Sequence, residues 1–240
     1  MAFITKEEHM AKFERVVDLK EEGFNIPRLK YLSPKSSGES FDAVIQWAKY
    51  IWENNYERQI FNIRTYQYAE NARKEVTSCP HICDINMADL KAELAILNRD
   101  YACMIDAENP DDGRIAGNIY IPKNKEDKFE LEFVVKEKRA MVRDVNSDTE
   151  VIRGSDLQKY LWKWTDPEYT KAFTADNPTY TDEVCKVIAY VLRKANQFYK
   201  KGIVFEWTYF HNPSGINASK SSEIYSFPER NVVWWEYRKY

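Results

Sequence analysis

Glycine is scarce: the chain has seven in 240 residues, and neither a Walker-type loop nor a G-x-G-x-x-G stands anywhere in it. That argues against a phosphate cradled by backbone amides in the P-loop or Rossmann manner, so a bound nucleotide must have its phosphates held by arginine and lysine side chains. Long apolar runs are also missing. Nothing approaches the roughly 18 consecutive apolar residues of a transmembrane helix, and the opening MAFITKEEHMAKFERVV is charged, so the chain reads as soluble and cytoplasmic. Cysteines number four, Cys79, Cys83, Cys103 and Cys185, too few for a disulfide framework at this length. Charge of one sign is nowhere concentrated and the formal net charge is -3, so composition points to neither a membrane surface nor a nucleic acid.

The closest approach to a metal motif is CPHIC, where Cys79, His81 and Cys83 alternate. A structural zinc site wants four ligands, usually in paired clusters, and no second cluster follows. Half-buried thiols beside a loop histidine are the expectation there.

What is present is apolar and aromatic. Hydrophobic residues make up 44% and aromatics 15%, enough for a packed core and too much for disorder. Helical spacing marks 6–22, with Gly23 as its stop. It also marks FDAVIQWAKYIWENN, which Ser40 would cap, and MADLKAELAILN. The longest helical pattern is TDEVCKVIAYVLRKANQFYKKG, with Thr181 as cap and Gly202 as stop. Strand patterns cover FNIPRLKYLS and RQIFNIRTYQY. Four more between 101 and 145 (YACMIDA, AGNIYIP, FELEFVV, KRAMVRDV) suggest one antiparallel sheet, and IVFEWTYF and VVWWEYR close the chain. Strands in antiparallel groups rather than strict alternation with helices predict an α+β class. The expected division is an N-terminal lobe over 1–100 and a larger lobe over 101–240.

The chemistry concentrates in the last two strands. Alternation puts Val204, Glu206 and Thr208 on one face of IVFEWTYF, and Trp234, Glu236 and Arg238 on one face of the final strand. If these strands pair, Glu206 and Glu236 stand side by side, and such a pair calls for a cation. Magnesium suits it, since it takes one or two carboxylates plus nucleotide phosphates, and Arg238 can hold a phosphate bidentately. A structural ion pair is the plainer alternative. Arg64, in the apolar strand FNIRTY, needs an anion; one of the glutamates or a phosphate would serve.

These residues resemble a family, the ATP-grasp nucleotide-binding domain of pyruvate phosphate dikinase, phosphoenolpyruvate synthase and rifampin phosphotransferase. Its closing strands carry Asp-x-Glu before Trp or Phe, then Gln-x-x-Arg or Gln-Thr-Arg; FEW at 205–207 and WWEYR at 234–238 are similar. The resemblance implies two lobes with antiparallel sheets flanked by helices and a nucleotide cleft between them. It implies Glu206 and Glu236 as metal ligands and Arg238 as a phosphate contact, while Val204 replaces the family's aspartate. HMAKFERVVDLKEEGFNIP is similar to the family's opening and puts Lys12 at its phosphate-binding lysine, and FNIRTY puts Arg64 at its phosphate arginine. MIDAENPDDGRIAGNIYI resembles the adenine-contacting strand, with the backbone of Ile105, Asp106 and Ala107 reading the base. In FELEF, Glu132 rather than Glu130 would face the ribose.

The implied cofactors are ATP and Mg2+, and the implied activity is phosphoryl transfer from ATP to an acceptor the sequence does not name. In the family that acceptor is a histidine on a separate domain, which becomes a phosphohistidine, so a separate protein of that type is the implied partner. Among the three histidines, His211, just after the Glu206 strand, is the best placed general base. Two alternatives stand beside this: an ATP-dependent carboxylate ligase, and a degenerate fold that binds protein or nucleic acid. The degenerate fold is favoured by Val204 and the scarcity of glycine, and a binding role by aromatics interleaved with lysines in KYLWKWTDPEYTKAF, which could stack on bases or a glycan and otherwise read as a core turn.

Overall fold

The computed structural model describes residues 15–36, 38–54, 60–66, 80–108, 113–124, 128–135, 150–154, 181–210 and 228–239. Two compact units divide the chain, one built on Pro27–Pro110 and the other on Asp111–Pro213 with Leu19–Ile26 and Lys220–Tyr240. The described residues are α+β, as expected, with two antiparallel sheets and helices.

The first unit runs β1 (Arg28–Leu32), α1 (Glu39–Asn54), β2 (Ile60–Tyr66), β3 (His81–Ile85), α2 (Met87–Leu97) and β4 (Ala102–Glu108). Its sheet has the order β1-β4-β2-β3. Odd-numbered side chains of the central strands, Phe61, Ile63, Cys103, Ile105 and Ala107, pack under Val44, Ala48 and Ile51 of α1 and Leu90 and Leu94 of α2. Burying the Val, Leu, Ile and Phe side chains among these contributes roughly 1.5–3 kcal/mol each, which is what holds these short helices on the sheet. Asn86 caps α2 by accepting from the Asp89 amide at 3.0 Å. Ser40 is not a cap: α1 begins at Glu39, with the Asp42 amide bonded to the Gly38 carbonyl at 3.0 Å.

Asn98 ties two connections of this unit together. Its side chain donates to the carbonyls of Ser33 at 2.7 Å and Tyr101 at 3.1 Å and accepts from the Ser36 amide at 2.9 Å.

The second unit runs β5 (Gly113–Ile121), β6 (Phe129–Val135), β7 (Glu150–Gly154), α3 (Asp182–Gln197), β8 (Ile203–Phe210), a 3-10 turn at Glu229–Asn231 and β9 (Val232–Lys239). The sheet order is β7-β6-β5-β8-β9. Thr181 caps α3 as expected, accepting from the Val184 amide, and the apolar side of α3 covers one face of the sheet. The helix ends at Gln197, so Gly202 is not its stop. With φ +68° that glycine instead turns the chain into β8, while Gly23, at φ +72°, does follow the helical residues 15–21 as expected.

The run of strands between 101 and 145 is not one sheet. β4 pairs with β1 and β2, whereas β5 and β6 pair with each other in the second sheet, so the units divide after β4 rather than at residue 100. Alternating apolar residues identify a strand but not its partners. KRAMVRDV lies outside the described residues.

The face under α3 is aromatic. Phe24 meets Phe198, Phe205 and Trp234 with ring centroids 5.4, 5.7 and 5.0 Å away. Asn25 closes the outer edge of β9, its side chain donating to the Val232 carbonyl at 3.0 Å and its carbonyl accepting from the Trp234 amide at 2.8 Å. An edge strand otherwise exposes unpaired backbone groups there.

Candidate functional site

The face of the second sheet away from α3 carries the polar residues. Register sets them in a transverse row: Glu132 of β6 opposite Asn118 of β5, Asn118 opposite Glu206 of β8, and Glu206 opposite Glu236 of β9. One row along stand Glu130, Tyr120, Val204 and Arg238. The expected adjacency of Glu206 and Glu236 is thus present, and Arg238 lies on the same face, exposed, two residues on.

Trp234 does not share that face. Trp207 faces Trp234 and Glu206 faces Glu236, so Trp235 is an extra residue in β9, a bulge. Two neighbouring side chains, Trp235 and Glu236, then leave the strand on one side. Trp234 turns under α3 into the core with Trp207 and Tyr237. The Trp235 indole crosses to β8 and donates to Thr208 Oγ1 at 2.9 Å. Simple alternation fails here because one inserted residue reverses the parity of all that follows.

Glu236 is 9% exposed. Neither it nor Glu132, Asn118 or Arg238 makes a side-chain hydrogen bond or ion pair among the described residues. A largely buried carboxylate in that state is costly unless water or something cationic reaches it. Among the described residues no group of three or more His, Cys, Asp or Glu side chains is arranged to hold a metal ion. The carboxylates here are a pair, and they fit a hard cation that completes its shell with other oxygens.

The remaining expected residues belong to the first unit or lie outside the described residues. Arg64 Nε stands 3.7 Å from Asp106 Oδ2, an anion in its own sheet. Asp106, 1% exposed, also accepts from Asn62 Nδ2 at 2.7 Å. Ile105, Asp106 and Ala107 sit in the middle of a strand paired on both sides, with β1 and with β2. Their backbone donors and acceptors are spent on the two ladders, which corrects the expectation that they read an adenine edge. Lys12 and His211 lie outside the described residues, as does Cys79. His81 and Cys83 do meet, with Nε2 and Sγ 3.4 Å apart on the edge strand β3.

Sequence reasoning missed Asn118 and Trp235, and it gave Asp106 a base-reading backbone role rather than that of a partner for Arg64. Asn118 carried a signal, an amide on the polar parity of an otherwise apolar strand. Asp106 carried one too, an acid inside CMIDA that could answer Arg64.

No family model matches the chain, and no curated protein sequence matches it. Solved structures similar to it include the ATP-grasp ligase PsnB in complex with a minimal precursor, at 11% identity and a TM-score of 0.39 over 98% of this chain and 52% of that one. The macrocyclase MdnC of Microcystis aeruginosa MRC bound to precursor peptide MdnA is similar at 10% identity and a TM-score of 0.44, over 98% of this chain and 55% of that one. N5-carboxyaminoimidazole synthetase from Staphylococcus aureus with ADP stands at 10% identity and 0.44, over 96% and 44%. The chain spans about half the length of these enzymes.

Proposed function

We propose that the protein binds ATP with magnesium on the polar face of the five-stranded sheet, the face away from α3, and catalyses phosphoryl transfer from it. The observation that supports this most is Glu236, a carboxylate 9% exposed, opposite Glu206, with no partner among the described residues. Oxygen-only ligands in a pair suit magnesium bound together with nucleotide phosphates. When bound, such an ion neutralises charge on the phosphates.

The chain's own residues have these parts. Glu206 and Glu236 hold the ion. Arg238, on the same face, presents a planar guanidinium that orients a phosphate through two parallel hydrogen bonds. Glu132, two strands along the same row, accepts from ribose hydroxyls. Side chains do this work because the sequence has no glycine-rich loop. Lys12, Arg64 and His211 enter by the resemblance to the dikinase and synthase domains: two cations for the phosphates and a base for the acceptor. The acceptor itself, including a separate phosphohistidine-type protein, belongs to the proposal.

Thermal unfolding with a non-hydrolysable ATP analogue tests it. Magnesium with the analogue at about 100 times its dissociation constant stabilises the protein by about 2.7 kcal/mol, and Glu206→Ala or Arg238→Ala removes the shift. No shift at millimolar nucleotide overturns the proposal. With ATP, hydroxylamine and a carboxylate acceptor, a hydroxamate product would mark an acyl phosphate and assign the transfer to carboxylate ligation.

A further inference from the structure

We propose that Asn118 is a third oxygen ligand of the cation site, completing with its carboxamide Oδ1 what Glu206 and Glu236 begin; this rests on the function proposed above. The starting point is a shortage. Two carboxylates do not fill the shell of a hard cation, and no third acidic or imidazole side chain joins them among the described residues.

Register supplies the missing oxygen. Asn118 faces Glu206 across β5 and β8, and Glu206 faces Glu236 across β8 and β9, so the three side chains leave one face in one row with Glu206 at the centre. Neighbouring strands lie about 4.7–4.9 Å apart, so an ion above Glu206 is within reach of the side chain on either flank. Cross-strand residues in direct register are the ones that meet. Carboxamide oxygen is an ordinary ligand for magnesium or calcium, and unlike a third carboxylate it adds no repulsion to the row.

Two further facts point to a ligand rather than a structural amide. Asn118 makes no side-chain hydrogen bond among the described residues, although it stands between Glu132 and Glu206. Buried or half-buried amides normally find a partner. Glu236, on the far side of the row, is 9% exposed and equally without one. Two uncommitted groups flanking Glu206 describe a site that is filled from outside the chain.

The experiment is titration of the full chain with Mn2+ alone, read by the loss of the free-ion electron paramagnetic resonance signal, and repeated on variants checked for folding by circular dichroism. Asn118→Leu, close in size but without the oxygen, is expected to weaken Mn2+ binding by tenfold or more, and Asn118→Asp is expected to restore it. Should Asn118→Leu fail to fold, Asn118→Ala carries the same expectation. Wild-type binding that Glu206→Ala abolishes and Asn118→Leu changes by less than twofold would overturn the role of Asn118 and leave the site standing. No Mn2+ binding by the wild type would overturn both.

Discussion

At the scale of single residues, close approach and polar satisfaction decide most. Gly117 lies in β5 between Phe133 and Trp207. A Cβ there would stand 2.3 Å from the Glu132 carbonyl oxygen and 2.9 Å from Trp207 Cζ2. The first is backbone and cannot yield without opening the β5–β6 ladder. Gly117→Ala is therefore expected to cost at least about 1–3 kcal/mol, the range of overpacked cores, measured by urea unfolding. Asn98 argues from satisfaction. It is 3% exposed, and its side chain serves two carbonyls and one amide. Asn98→Leu keeps the volume and strands those backbone groups, so a loss of about 2–4 kcal/mol is expected, given roughly 1–3 kcal/mol for each buried group left unmade. Glu206, Glu236 and Arg238 were legible in the sequence because charged residues in aromatic strands are conspicuous. Arg64's partner was not, because Asp106 meets it only once β2 and β4 pair.

At the scale of elements, irregularity places the carboxylate pair. Register shifts interrupt β2 against β3, β5 against β8, and β8 against β9. The last one matters most: it sends Trp234 to the core and leaves Glu236 beside Glu206. Trp235, the extra residue, is anchored by its indole to Thr208 Oγ1 at 2.9 Å and packs against Phe210 at 6.5 Å between ring centroids. Thr208→Val removes the acceptor and leaves a buried N–H alone, so a loss of about 1–3 kcal/mol is expected. Thr208→Ser, which keeps the hydroxyl, should recover most of it in the same unfolding measurement. Helix α3 was readable in advance from its apolar spacing and Thr181 cap. Its end was not, because Gly202 serves the turn into β8.

At the scale of the whole molecule, each unit buries a thiol. Burial pushes the Cys103 thiol up to about 12, against a smaller lowering by Asn98. In the other unit burial, with Asp182 adding to it, pushes Cys185 up to about 11. Both are held protonated by the fold and ionise near 9.0 when exposed. The unfolded chain therefore binds fewer protons than the folded one between pH 9 and about 11–12, and stability falls as pH rises through that window. The expected result is a melting temperature that declines above pH 9, less steeply in Cys103→Ala and Cys185→Ala than in the wild type. Below pH 9 these thiols contribute no slope.

The sequence by itself determined the α+β class, the helices and most strands, and the presence of a carboxylate pair with an arginine near the chain's end. These follow from periodicity, capping and the conspicuousness of charge in an apolar strand, all of which are local. Tertiary structure decided which strands share a sheet, since β4 joins one and β5 the other. It decided which partner Arg64 takes, and it joined Asn118 to the glutamates. Those outcomes depend on pairing between residues distant in the chain and on one inserted residue in β9, and neither is written in the pattern of any single strand.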